Sequence, residues 1–147
     1  MTNRTKKVLD ELTSTMKINP DQFGLKVSPN RIKSLGYALA GWLYMLRYQK
    51  NTRLMSVSSI IIFGVAFWLQ IDFTSWAILI LTVTTVWMAE FLNAAVEAVV
   101  NLASPEFHPM AKVAIDVAAA AVLLGAVASV LVGLLILGPP LLHKLGH

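Results

Sequence analysis

The sequence contains no cysteine, which excludes a disulfide frame, a thiolate nucleophile and any thiolate-bound metal. Charge is scarce as well, at 14% of residues, and ten of the twelve Lys and Arg residues lie before residue 54, so the back of the chain is nearly uncharged. Histidine is rare: besides His143 and His147 near the C-terminus there is only His108, and a lone turn histidine is more often a surface residue than a ligand. Neither G-x-x-x-x-G-K-[ST] nor a G-x-G-x-x-G loop with kinase signatures is present, so any phosphoryl transfer must use another scaffold. The first thirty residues carry Lys6, Lys7, Asp10, Glu11, Pro20 and Asp21 where a secretory signal would have an apolar core and a small-residue cleavage site. The N-terminus is therefore expected to stay in the cytosol. The net charge of +4 is not accompanied by the stacking aromatics of a nucleic-acid module, so no nucleic-acid partner is expected. A juxtamembrane basic segment attracted to anionic lipid headgroups accounts for it.

What the chain does have is apolar length. At 56% hydrophobic over 147 residues, its composition implies lipid as solvent. The reading is an all-α integral membrane protein with an N-terminal amphipathic surface helix and three transmembrane helices. Residues 1–28 form a polar cytoplasmic arm, which Val8, Leu9, Leu12 and Met16 could turn into a short amphipathic helix at most. Residues 29–138 form the membrane domain, and residues 139–147 a short tail. Ser28 and Pro29 start a surface helix over about 30–50, with Ile32, Leu35, Leu39, Trp42, Leu43 and Leu46 at helical spacing.

Spans are expected over about 54–71, 75–103 and 111–137. Trp68 and Trp76 flank the first turn at the depth of an interfacial aromatic belt. Pro105 and Pro109 mark the second turn, and Gly138, Pro139 and Pro140 are expected to end the third span. Gly125, Ser129 and Gly133 line one face of that span and permit close helix approach. The positive-inside rule then puts the N-terminus and the second turn in the cytoplasm and the C-terminus outside, in the cell (inner) membrane.

Four polar residues on the second span need a reason to be there. At about 100° per residue, Glu90, Glu97 and Asn101 fall within roughly 20° of one another and Asn93 about 60° aside. A charge in a bilayer centre costs roughly 2.5–3.5 kcal/mol on insertion scales, less near the interface, so the stripe should face protein or water. The bland alternative is a helix that protrudes into the cytosol with the stripe as its solvated face, but Phe91, Leu92, Ala95, Val96, Val99 and Val100 keep the other faces apolar. Asp116 stands just before the third span, so in a hairpin it comes close in depth to Glu97 or Glu90. Convergent carboxylates without cysteine suit a hard cation such as magnesium carrying phosphates.

These residues form blocks: Glu90-Phe91-Leu92-Asn93-Ala94-Ala95-Val96-Glu97, then Glu106-Phe107-His108, then Ala114-Ile115-Asp116. They resemble the signature E-x-x-N-[ST]-A-x-E-x-x-V-D, followed by E-[YF]-H and A-K-D, of the prokaryotic diacylglycerol kinase and undecaprenol kinase family. Gly36, Tyr37, Gly41, Asn51 and Arg53 look like its upstream elements, and the resemblance covers roughly residues 30–137. It implies a homotrimer of three-span subunits that transfers the terminal phosphate of ATP, as co-substrate, to a membrane lipid alcohol, with Mg2+. By resemblance Glu90 is the general base or hydroxyl-orienting residue, supported by Asn93, and Glu97 holds the metal that bridges the ATP phosphates. Tyr37, Glu106, His108 and Asp116 match nucleotide-contacting positions.

The chain departs from the pattern at four places. Ile115 stands where the family usually has Lys, and Lys112, one turn earlier, is the candidate replacement on the nucleotide side. Gln49 stands where many members have a second metal-binding Glu, and offers a neutral amide oxygen to metal or nucleotide. Ala94 replaces Ser or Thr, and Asn101 replaces Asp. Ile115 and Gln49 motivate an alternative, a catalytically weakened relative serving as a membrane scaffold or lipid-binding protein. A third reading is an ion-coupled transporter using Glu90 and Glu97 as intramembrane carboxylates, although no internal repeat supports it.

Overall fold

A computed structural model describes residues 31–104 and 106–146, and every regular element among them is helical. The polar arm and the Ser28-Pro29 helix start lie outside the described residues. The chain divides into two compact units with the boundary between Gly41 and Trp42. Four helices follow in order: α1 (Arg31–Tyr48), α2 (Lys50–Leu69), α3 (Phe73–Ala103) and α4 (Pro109–Leu145). The last three are long and apolar enough to cross a membrane. They overlap the three expected spans, the first of which ends at Leu69 and not at residue 71.

The element boundaries have local causes. Between α1 and α2 only Gln49 leaves the helical region, at φ −96° and ψ 116°. Its N–H still donates to Met45 O at 2.9 Å, so the break is a one-residue kink. α2 ends on Gln70 in the left-handed region, φ 53° and ψ 47°. From there the N–H groups of Gln70 and Ile71 donate to Phe67 O at 3.1 Å and Ala66 O at 3.4 Å, closing the helix as a C-terminal cap does. Asp72 then caps α3, accepting from Thr74 N at 2.9 Å, Ser75 N at 3.1 Å and the Ser75 hydroxyl at 2.6 Å. The Ser75 hydroxyl above all, then the Ser75 N–H, holds this exposed carboxyl below its ordinary value of 3.8.

α4 overruns the expected end at residue 137 and continues through Pro139 and Pro140 to Leu145, so most of the expected tail is helix. Proline removes two intrahelical donors, but its fixed φ is helical, and Gly138 has no Cβ to clash with the Pro139 ring. The continuation is anchored at its far end. Lys144 Nζ donates to Trp68 O at 2.7 Å and lies 4.5 Å from the centroid of the Trp68 ring. α4 therefore returns to the level of the α2–α3 turn.

Within the second unit, α3 and α4 pack most extensively against each other, and α2 lies against both. Trp87 of α3 donates its indole N–H to the Ser59 hydroxyl of α2 at 3.1 Å. The Trp42 ring stacks on Trp87 at 4.8 Å between centroids, with Phe91 edge-on at 5.2 Å from Trp42. Such pairs each add about 0.5–1.5 kcal/mol beyond area burial. The Gly125 face meets Val86 at van der Waals distance, where a Cβ would stand 3.7 Å from Val86 Cγ2. Ser129 and Gly133 line a cavity of about 90 Å³ together with Trp87, Ser59 and Leu79. Met45, Ala66, Leu69 and Leu79 form the small buried apolar core, while Leu124 and Leu135 of α4 are 73% and 76% exposed. An apolar surface on that scale needs lipid or further protein as solvent, which makes this a membrane protein.

Candidate functional site

The polar stripe of α3 runs from buried to exposed. Glu90 is 2% exposed and its Oε2 has no hydrogen-bond partner. One turn on, Asn93 is half-buried and donates through Nδ2 to Glu97 Oε1 at 3.4 Å, while its own buried Oδ1 has no partner. Glu97 is half-buried and Asn101 exposed. The stripe therefore runs from the exposed α3–α4 end of the helix into the helix packing. A buried acceptor left unsatisfied costs about 1–3 kcal/mol. Glu90 and Asn93 carry that cost side by side on one helix.

The turn builds a second polar group. Ser104 ends α3, donating its N–H to Val100 O at 2.8 Å and its hydroxyl to Glu106 O at 2.9 Å. His108 caps α4, with Nδ1 accepting from Met110 N at 3.2 Å, and Pro109 fills the first helical position. This use of Nδ1 leaves Nε2–H as the outward donor. A pocket of about 310 Å³ opens here, lined by Asn101, Glu106, His108, Lys112, Ile115 and Asp116 among others. Lys112 Nζ pairs with Asp116 Oδ2 at 2.5 Å, both side chains largely exposed. Ile115 is part of that wall, so the position lacking a cation does face the pocket.

The expected residues thus fall into two clusters: Glu90, Asn93 and Glu97 on α3, and Glu106, His108, Lys112 and Asp116 at the turn. The convergence of three carboxylates expected from the hairpin is not realised within one chain. Among the described residues no group of three or more His, Asp or Glu side chains could hold a metal ion. The physical reason is that Asp116 turns to Lys112, Glu97 to Asn93, and Glu90 into the buried packing. Gln49, half-buried, is the kink residue before α2 and makes no side-chain cap to it. Tyr37 belongs to α1 and to the other compact unit.

Two features escape sequence reasoning. Thr52, in the first turn of α2, is fully buried with its hydroxyl unpartnered. A threonine at the edge of an apolar run carries no signal of that kind. The other is an apolar groove of about 770 Å³ between α3 and α4, lined by Met88, Leu92, Val96, Val113 and Val117, with Asn93 among its walls.

Comparison with known proteins follows the same residues. The family model described as prokaryotic diacylglycerol kinase matches residues 36–137. A diacylglycerol kinase of Synechocystis sp. is 41% identical over 118 residues, covering 80% of this chain and 67% of that protein. An undecaprenol kinase of Bacillus subtilis is 33% identical over 109 residues, 74% of this chain and 89% of that protein. A diacylglycerol kinase of Escherichia coli K12 is 32% identical over 100 residues, 68% of this chain and 82% of that protein.

Proposed function

We propose, from the premise that this chain belongs to the prokaryotic diacylglycerol kinase family and is a lipid kinase, that it transfers the terminal phosphate of ATP to the hydroxyl of a membrane lipid, diacylglycerol or undecaprenol. The observation that carries the reading is the Glu90 carboxylate, buried to 2% exposure with a free oxygen, at the buried end of a stripe that becomes exposed towards the α3–α4 turn. A lipid hydroxyl comes from the bilayer and a nucleotide from the cytosol. The stripe joins the two.

In the transfer, a lone pair of the lipid hydroxyl oxygen forms the new bond to the terminal phosphorus. The bond from that phosphorus to the bridging oxygen breaks, and its electron pair leaves with ADP. The hydroxyl proton passes to the Glu90 carboxylate, which later returns it to water. The products are lipid phosphate, ADP and one proton. A loose phosphoryl-transfer transition state needs positioning and charge neutralisation more than covalent help, which the two clusters suit. Asn93 supports Glu90, and Glu106, His108, Asp116, Lys112 and Tyr37 contact the nucleotide in this reading.

Magnesium takes oxygen donors and is commonly held by one or two carboxylates together with substrate phosphates. The Glu97 carboxylate and the unpartnered Asn93 Oδ1 fit that donor set, and Gln49 offers a further, neutral oxygen. Bound there, the ion would neutralise charge on the phosphate oxygens. In the membrane, α1 lies along the cytoplasmic surface, α2 to α4 are the spans of one subunit of a homotrimer, the N-terminus is cytoplasmic and the C-terminus outside. The membrane is the cell (inner) membrane.

The test is transfer of radiolabel from the terminal phosphate of ATP to dioleoylglycerol or undecaprenol by the purified chain in mixed micelles. Label in either lipid that requires Glu90 is the expected result. No transfer to any lipid alcohol, with ATP failing to bind, would favour a scaffold.

A further inference from the structure

Two polar side chains of the second unit are both fully enclosed and both short of a partner: Thr52 of α2, 0% exposed, and Glu90 of α3, 2% exposed. They come from neighbouring antiparallel helices whose register is fixed by the bond from Trp87 Nε1 to Ser59 Oγ. Thr52 lies seven residues before Ser59, about 10 Å towards the kink at Gln49 and within about 20° of the same face. Glu90 lies three residues after Trp87, about 4.5 Å in the same direction and about 60° around α3. The two therefore sit within about 6 Å of each other in depth, with Glu90 placed on α3 between Trp87 and Phe91 of the aromatic cluster.

Their chemistry is complementary to one kind of guest. A carboxylate only accepts, and a threonine hydroxyl both donates and accepts. An alcohol satisfies both at once, donating its O–H to Glu90 Oε2 while its oxygen accepts from Thr52 Oγ1–H. One lone pair of that oxygen then stays free for phosphorus. The Thr52 hydroxyl is available for this, because it sits in the first turn of α2 without a hydrogen-bond partner among the described residues. The cost of keeping each group unsatisfied, about 1–3 kcal/mol, is the kind that persists where a ligand recovers it.

We propose that Thr52 is a second acceptor-binding residue, whose hydroxyl donates to the lipid alcohol and orients it between Thr52 and Glu90. The inference rests on Glu90 being the group that takes the alcohol's proton. It commits the acceptor to a hydroxyl-bearing lipid whose alcohol enters between α2 and α3.

The experiment uses the full chain in mixed micelles and compares Thr52→Val, which keeps the shape and removes the hydroxyl, with Thr52→Ser, which keeps the hydroxyl. Initial rates are measured against dioleoylglycerol or undecaprenol at saturating ATP, and against ATP at saturating lipid. Thr52→Val should lower kcat/KM for the lipid about three- to tenfold, the worth of one hydrogen bond, and leave the KM for ATP unchanged. Thr52→Ser should restore the wild-type lipid constants to within about twofold. Wild-type lipid kinetics in Thr52→Val would overturn the proposal, as would a serine variant as impaired as valine, since the threonine would then serve packing alone. Glu90→Gln runs alongside. If it abolishes transfer while both Thr52 variants match wild type, the Thr52 assignment fails and the kinase reading stands. Full activity in Glu90→Gln sinks the reading on which both depend.

Discussion

Lys112 reaches along one turn of α4 to pair with Asp116, across the pocket wall that Ile115 completes. Among the described residues lining this pocket, Lys112 carries the one ammonium, and a carboxylate holds it. Its exposure keeps the pair weak, worth about 0.3–0.5 kcal/mol as an i,i+4 helix pair, so a phosphate can compete for the cation.

Lys112→Met should therefore raise the KM for ATP by about three- to tenfold, as expected for one charge-assisted hydrogen bond to phosphate. Ile115→Lys should lower it, because the added ammonium faces the same pocket and Asp116 can neutralise only one cation. Steady-state ATP titrations at fixed lipid decide both. A higher KM in Ile115→Lys would mean that the new lysine displaces Lys112 from its place.

Glu90 and Glu97 share a helix face but not an environment, and their amides should fail differently. Glu90→Gln removes the proposed proton acceptor at the buried end and should reduce kcat by about a hundredfold or more, with assembly intact. Glu97→Gln keeps the bond to Asn93 possible and removes a charge from the half-buried donor set, so it should raise the magnesium concentration required for half-maximal transfer, or abolish transfer. Transfer assays across a magnesium series, with size analysis in micelles, separate the two. Unchanged activity in both variants would discard the assigned roles.

Apolar length was enough to find the three long helices, because an uncharged run of about twenty residues satisfies its backbone in lipid within itself only as a helix. The α3 stripe was legible for a related reason: helical spacing is fixed, so Glu90, Glu97 and Asn101 had to share a face. Partner choice was not legible. Nothing in the spacing of Lys112 and Asp116 says that they pair with each other in preference to a ligand, nor that Asn93 ties Glu97. Burial escaped as well. Thr52 becomes enclosed, and Glu90 becomes the buried end of the stripe, through tertiary packing, a long-range event that no local pattern encodes. The overrun of α4 past Pro139 and Pro140 has the same origin, since Lys144 secures it on a residue 76 positions away.

Asp72 gives the fold a predictable response to acid. Its carboxyl is held below the ordinary 3.8 by the Ser75 hydroxyl and the N–H groups that open α3. A depressed value means that the ionised form stabilises the folded chain. That contribution is complete at neutral pH and is lost as pH falls below 3.8 through the depressed folded value. Asp72→Asn should unfold at lower temperature than wild type at pH 7, and the gap should narrow as the buffer is acidified. Thermal unfolding in micelles over a pH series measures it, and a gap that stays constant would assign the effect to side-chain shape.

Gln70 is the only non-glycine residue with positive φ among the described residues, at 53°. The left-handed region costs an L-residue about 1–2 kcal/mol, whereas glycine occupies it freely at the expense of unfolded-state entropy. Gln70→Gly should accordingly stabilise the α2–α3 turn by about 0.5–1 kcal/mol. Gln70→Val should destabilise it, because a β-branched side chain crowds that region most. Equal stabilities for the three residues in chemical unfolding would mean that the turn relaxes in the variants.

Lys144 should matter out of proportion to its place three residues from the chain end. Its ammonium lies at the C-terminal end of α2, where carbonyl oxygens lack intrahelical partners, and it meets both the Trp68 carbonyl and the Trp68 ring. Lys144→Met keeps the apolar stem and removes the charge, and should cost about 1 kcal/mol. Lys144→Arg should retain most of it, because a guanidinium can serve the same carbonyl and stack on the same ring. Without the anchor, the helix beyond Pro139 and Pro140 has two missing donors and little packing to hold it. Amide hydrogen exchange over residues 141–146 should then accelerate in Lys144→Met and leave the earlier part of α4 unchanged. Exchange equally slow in both forms would show that the segment is held by its apolar residues, and that the contact with Trp68 follows from the helix and does not cause it.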